Sequence, residues 1–598
     1  MILYRHSLFR KSRSYLGISI LFLAFFIQIP SLNAQIKVSS GLYEQASELT
    51  TLIIEYSKDV DALNDFYAPR QVNRFSRERI VNSPLQMKRL EEVNKDYLNK
   101  MSTIDFKSLN VNGKVDYILL KRRIQNNGAE LVKERELYNK IERYIPFAKG
   151  VYDLEYNRLR GKQMDGKEVA SMINDIEKEV TSLIKSNDIS EMDMSYAKFG
   201  EQAIKGIQSR LKNFFDFYNG YDPMFTWWVP GPYKALDSAL NNYASFLVNS
   251  GTIETTQKKD ESGIMGVPIG RDELIRQLND QMIPYSPEEL IEIANKEFAW
   301  CDEELLKASQ EMGFGNDWRS AQEKVKNSFV PAGQQPELIL ELYNDAKSFI
   351  LEKDLITWPE IADETWGMIM MTPERQMVNP FFTGGREISI SYPTNTMSHE
   401  DKLMSMRGNN PYFSRGTVQH ELLPGHHLQY YMNSRYKNYR ADFSSPFYTE
   451  GWALYWELLL YDMGFAKTPE ERMGMLFWRM HRCARIIFSL NYHLGNWTPQ
   501  ESIDFLVDRV GHERANAEGE VRRSFEGSYS PLYQVAYLVG GMQVMGLKEE
   551  LVDTGKMTYI EFHDAFLKEN SIPIEMMRAI LTDESLKENF ETNWKFYK

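Results

Sequence analysis

Cysteine is nearly missing from this chain: 598 residues hold two, Cys301 and Cys483. A disulfide framework and a Cys-rich metal site are therefore excluded, so any transition-metal site must draw on histidine and carboxylate. The two thiols could pair in an oxidising compartment, but on helical segments far apart in sequence they read at least as well as buried free thiols. Excess positive charge is missing too. With 70 Lys and Arg against 83 Asp and Glu the formal charge is −13, which argues against nucleic acid as a partner, since that binding rests on clustered cations. Internal repeats and low-complexity tracts are absent. Beyond the first thirty or so residues no apolar run approaches the ~20 residues that a membrane span needs. What remains is an ordinary globular composition, 43% hydrophobic and 26% charged, long enough for one large unit or several domains.

Residues 1–34 read as an export signal. Arg5, Arg10, Lys11 and Arg13 form a basic start, Leu16 to Ile29 a short apolar stretch, and Ser31-Leu32-Asn33-Ala34 a small-residue cleavage site before Gln35. No Cys follows, so a lipid anchor is not expected. The mature protein is predicted to be periplasmic or secreted, with no stable membrane insertion after cleavage.

The fold class predicted for residues 35–598 is mainly α, a single large helical unit with a small β element beside the site helix. Residues 35–330 read as a helical scaffold half and 331–598 as the metal-site half. Helical periodicity is clearest in Ser171 to Lys185, where apolar residues recur at spacings of three and four. Breaks fall near Asp222 to Pro232 and Gly263 to Gly270, and the Trp-rich Phe225 to Pro230 reads as core or lid contact. The pattern changes at Met368 to Met371 and at Glu387 to Tyr392. The latter predicts a short strand with alternating faces, of the kind that can hold an extended peptide by its edge.

Three of the nine histidines fall within His420-Glu421-Leu422-Leu423-Pro424-Gly425-His426-His427. Zinc peptidases commonly place two His four apart on one helical face, the Glu after the first acting as base. Here position 424 is Pro, and on a regular helix neither His426 nor His427 could share an ion with His420. Pro424 and Gly425 can bulge the helix outward. A two-residue bulge brings His426 to the ligand position, the preferred reading, and a three-residue one brings His427; the other His then faces substrate or a carboxylate. The third ligand is expected from a following helix, with Glu450 preferred because Gly451 and Ala453 allow close packing on the motif helix. Glu457, seven residues on, suits a supporting role.

The string QHELLPGHHLQ followed by YTEGWALYWE closely resembles the bacterial family catalogued as domain of unknown function 885, with its pattern HExxPGHHLQ and then EGWALYxE. The likeness continues more weakly through Pro268-Ile269-Gly270, Ser286 to Leu290, Ala484-Arg485, His493, Trp497, Glu520 to Arg523, Pro531, Tyr537 and Gly540. Tyr533 stands where the family has Gln, and Ser489 where Asp is typical. The resemblance implies a largely helical zinc metallopeptidase of the glutamate-ligand clan, with zinc held by His420, one of His426 and His427, and Glu450, and Glu421 as base. Chemically, Tyr537 or His493 could donate to a tetrahedral oxyanion, and Arg522 or Arg523 could clamp the C-terminal carboxylate of a peptide substrate. A zinc amidase and a non-catalytic exported binding protein are the alternatives; a carboxylate at 421 beside the His ligands speaks against the second.

Overall fold

Helix starts in this chain are written in short polar signals. Ser286, Thr468, Thr498 and Thr558 each accept from the backbone three residues on, while the Glu at that position reaches back to the capping residue, which satisfies two otherwise orphaned N–H groups per helix. Repeated along the sequence, such signals yield a mainly α-helical fold, as predicted. The computed structural model describes residues 46–68, 80–186, 192–252, 260–378, 384–385, 387–526 and 529–597, and residues 46–598 form one compact unit. The export signal read at 1–34 lies outside the described residues. No helix among the described residues is long and apolar enough to cross a membrane.

Three hydrophobic cores hold the unit together, and they do not divide at residue 330. One lies wholly within residues 81–247. The helix Gly166–Ser186 feeds it with Ile173, Ile176 and Val180, the stripe that its periodicity marks. The second core joins Ile53, Ile118 and Ile124 from the N-terminal helices to Val418, Trp452 and Phe566. The third joins Leu290, Phe298 and Cys301 to Phe477, Cys483 and Tyr537. The helices Pro411–Glu421 and Pro446–Asp462 thus feed both of these cores, with Val418 and Trp452 in one and Phe413 and Leu454 in the other. Cys301 and Cys483 are buried free thiols. Of the Trp-rich segment, Phe225 and Val229 enter the core, whereas Trp227 is 79% exposed.

The β content among the described residues is one parallel pair, β1 (Gly367–Met370) and β2 (Glu387–Ile390), with Met368 opposite Ile388 and Met370 opposite Ile390. A parallel pair needs a crossover, and the short helix Pro373–Val378 lies within it. The alternating faces expected of β2 are not found: Ile388, Ser389 and Ile390 are all buried. Packing on both faces removes the alternation that a half-exposed strand would keep.

Candidate metal centre

Five helical segments build the site: the motif helix Pro411–Glu421, its continuation His426–Asn433, a ligand helix Pro446–Asp462, an arginine helix Pro469–His493 and a tyrosine helix Tyr533–Lys548. The motif helix starts where the Asn410 side chain accepts from the backbone N–H groups of Tyr412 and Phe413. It stops at Glu421 because Pro424 cannot continue the ladder. Across the break, the Gly425 N–H donates to the Gln419 carbonyl at 3.0 Å, six residues back instead of four. The bulge is therefore two residues deep. A Cβ on Gly425 would lie 1.9 Å from the His420 carbonyl oxygen, so only glycine fits. The Trp452 indole N–H donates to the Pro424 carbonyl at 2.8 Å and ties the bulge to the ligand helix.

This bulge brings His420, His426 and Glu450 together, with one potential ligand atom from each within 4.8 Å of the others and all three residues buried. Glu450 Oε2 lies 3.7 Å from His420 Nε2 and 3.5 Å from His426 Nε2. A polar side chain lies behind the far nitrogen of each imidazole. His420 Nδ1 sits 2.7 Å from Glu457 Oε1, which also takes a bond from Arg482 at 3.3 Å. His426 Nδ1 is 3.1 Å from Gln429 Oε1, and the Gln429 amide donates to the Tyr448 carbonyl. The Tyr533 hydroxyl donates to Glu450 Oε1, leaving Oε2 toward the two imidazoles with no hydrogen-bond partner. An orphaned buried carboxylate oxygen facing two Nε2 atoms is a donor set that fits a divalent cation. Without one, burial disfavours the charged His420 ring, but Glu450, Glu457 and Glu421 outweigh it and raise His420 to about 9. Burial also opposes ionisation of Glu450, and the two imidazoles more than offset it, holding the carboxyl well below its usual range.

His427 takes no part in this cluster. It is buried on another side, with Nε2 3.0 Å from the Ala362 carbonyl, because consecutive helical residues diverge by about 100°. Of the two candidates for the second ligand, the geometry brings His426 to the cluster, as the two-residue bulge predicts. Gly451 differs from expectation. It packs against Gly540 of the tyrosine helix, not the motif helix: a Cβ on Gly451 would lie 2.5 Å from the Gly540 carbonyl carbon, and one on Gly540 would lie 2.1 Å from the Phe447 oxygen.

The cluster opens into a cavity of about 310 Å³, lined also by Glu421, Tyr537, Arg482, Arg485 and Arg523. Glu421 is half-buried. Its Oε2 accepts from the Gly384 N–H, where the chain enters β2, so the small β element does lie beside the site helix. The Tyr537 ring is nearly parallel to that of His420, with centroids 6.3 Å apart. Burial, then the Glu450 charge, raise its hydroxyl well above the usual phenol range, so it stays protonated.

His493 and Arg522 are not brought to the site. His493 lies two turns beyond Arg485 on the arginine helix, off the cavity, its ring edge-on to Tyr492 and Phe525. Burial lowers it to about 4, and neither ring nitrogen has a hydrogen-bond partner. Arg522 is exposed and donates to Glu526 at 3.0 Å, while Arg523, one residue on, turns inward. Sequence reading missed Arg482, Gln429, Trp452 and the roles of Arg485 and Tyr533. Gln429 and Trp452 sit inside the strings already quoted. Ser489, the other departure, donates to the Pro531 carbonyl away from the cluster.

Fold and site together define a mainly α-helical protein organised around a buried His-His-Glu cluster that could hold a metal ion. The chain belongs to the family described as "Bacterial protein of unknown function (DUF885)", whose model matches residues 78–581. Among solved structures, it is similar to a candidate lipoprotein of unknown function from Shewanella oneidensis. The TM-score is 0.64 at 17% identity, over 89% of this chain and 99% of that one. A candidate lipoprotein from Colwellia psychrerythraea aligns with TM-score 0.55 at 17% identity, over 90% and 98%. No curated protein matches the sequence.

Proposed function

We propose that this protein is an exported, zinc-dependent peptidase. The observation that carries the reading is the buried pair of imidazoles, each with a polar side chain behind Nδ1 and with Nε2 toward the open oxygen of Glu450, with the Glu421 carboxylate next in sequence to His420 and a cavity of about 310 Å³ in front. His420, His426 and Glu450 would hold the ion, a two-His, one-carboxylate set that leaves a position open for chemistry. When bound, zinc would supply a Lewis acid for the scissile carbonyl and the attacking water.

The remaining work falls to side chains. Glu421 takes the proton of the attacking water and delivers it to the leaving nitrogen; the Gly384 N–H fixes one of its oxygens and orients the other. Tyr537, kept protonated, donates to the developing oxyanion. Glu457 and Gln429 hold the imidazoles at fixed angles. The resemblance to the family of unknown function 885, which implies a zinc peptidase of the glutamate-ligand clan, supports this division of roles.

Two measurements test the reading. Metal analysis of purified protein should find close to one zinc per chain, and Glu421→Gln should keep that zinc while hydrolysis of a peptide library falls by about two orders of magnitude or more. Full activity in this variant would exclude the mechanism. For export, the basic and apolar start followed by Ala34 supports cleavage before Gln35. Mass spectrometry of the protein from its native envelope should then show an N-terminus at or near Gln35; an intact Met1 would refute it.

A further inference from the structure

Three guanidinium groups crowd one end of the cavity. Arg482 and Arg485 share a face of the arginine helix at a spacing of three, and Arg523 approaches from the helix Arg514–Phe525; all three line the cavity. Among the described residues, two carboxylates pair with them directly. Glu520 is divided between Arg485 Nε at 2.7 Å, Arg523 and the Gln534 amide at 2.7 Å. Glu457 is divided between Arg482 and His420. Positive charge is therefore in excess, and hydrogen-bond donors are left over. Arg482 Nε, Arg485 Nη1 and Arg523 Nε are buried without a hydrogen-bond partner, although Arg482 and Arg485 are only 5% and 4% exposed.

Leaving cationic donors unpaired out of water is costly, and a planar guanidinium is shaped for a two-oxygen acceptor. His481, which also lines this end, is pushed well below its usual value by burial and by Arg485, and so adds no charge. The position relative to the cluster is set by Tyr537. Its ring centre lies 6.3 Å from that of His420 and 4.6 and 4.4 Å from the guanidinium carbons of Arg482 and Arg485. An extended chain covers about 3.5 Å per residue, so this separation suits one or two residues of peptide.

From this geometry we infer that Arg482, Arg485 and Arg523 form a carboxylate pocket, which holds a carboxylate one or two residues beyond the scissile bond. Two sources share that chemistry, the free C-terminus of a peptide and an acidic side chain. The inference rests on the peptidase reading only for where the bond lies, not for the pocket itself.

Calorimetric titration of the purified protein in the presence of a chelator reads the pocket without turnover. The probes are N-acetyl-dialanine as the free acid, its C-terminal amide, and N-acetyl-alanyl-glutamic acid α-amide. One of the two carboxylate probes is expected to bind at least tenfold more tightly than dialanine amide. A preference for the free acid identifies a chain terminus, and a preference for the glutamyl amide a side chain. Arg485→Met and Arg523→Gln should each remove the preference while zinc uptake stays at the wild-type level; if either variant misfolds, the comparison of probes on the unaltered protein still decides. Equal binding of all three probes overturns the pocket. A protein that hydrolyses peptides but treats acid and amide alike keeps the peptidase reading and loses the pocket. One that binds no metal and hydrolyses nothing, yet prefers the carboxylate, keeps the pocket and loses the peptidase reading.

Discussion

At His426 and His427 the ~100° between neighbouring helical residues separates a candidate ligand from a residue turned to the Ala362 carbonyl. His426 meets Glu450 and is braced by Gln429, whereas His427 meets the Ala362 carbonyl. His426→Ala should therefore lose bound zinc in metal analysis after dialysis. His427→Ala should retain it and lose about 1–3 kcal/mol of stability in urea unfolding, the cost of a buried carbonyl left without its donor. The opposite pair of results would move the second ligand to His427. Much at this scale was legible beforehand, because Pro424 in place of a histidine forces a bulge and the depth of that bulge selects one ligand. Arg482 was not legible, and Arg485 appeared only within the weaker family likeness, with no role attached. Their meaning depends on facing Glu457 and Glu520, and no short-range pattern links residues that far apart in sequence.

Among the elements, the ligand and tyrosine helices cross with backbone almost touching backbone at Gly451 and Gly540. That contact places Tyr533 within reach of Glu450. Gly540→Ala would force a methyl against the Phe447 carbonyl and part the helices. It is expected to cost several kcal/mol, at or above the roughly 1–3 kcal/mol of ordinary overpacking, and to weaken zinc affinity about tenfold or more. Thermal unfolding and competitive zinc titration check both, and wild-type values would show that the helices can shift freely. Helix existence could be read from periodicity, and the short β element from the change of pattern at Glu387 to Tyr392. The partner of Gly451 could not, since a small residue announces close packing without saying against what. The alternation expected of β2 fails for a related reason: two-sided burial is a property of the neighbours, not of the strand.

Across the whole molecule, burial makes several imidazoles acid-sensitive. Burial lowers His493 to about 4 and His512 and His563 to about 3. His563 is locked as a neutral ring between the Tyr455 hydroxyl and the Leu355 carbonyl, each at 2.7 Å. Folded values below the ordinary 6.5 mean that the unfolded chain binds more protons between those limits, so stability rises with pH there and falls on acidification. Metal-free His420, at about 9, is protonated in both states below about pH 6 and adds little slope. His481 is lowered in the same way, so unfolding free energies from urea titration of metal-free protein should drop between about pH 6 and about pH 5, by at most ~5.5 kcal/mol per pH unit for four such groups. A free energy that is flat or rises on acidification would contradict the buried neutral state.

The bulge at Pro424 and Gly425 has a consequence for where order is created. Its carbonyl is latched by Trp452, the following segment is latched by Gln429, and both latches end on the ligand helix that carries Glu450. The rotational freedom of the three donors is therefore surrendered when the chain folds, not when an ion arrives. An arriving cation meets donors that are already converged, so its binding free energy is not spent on assembling them.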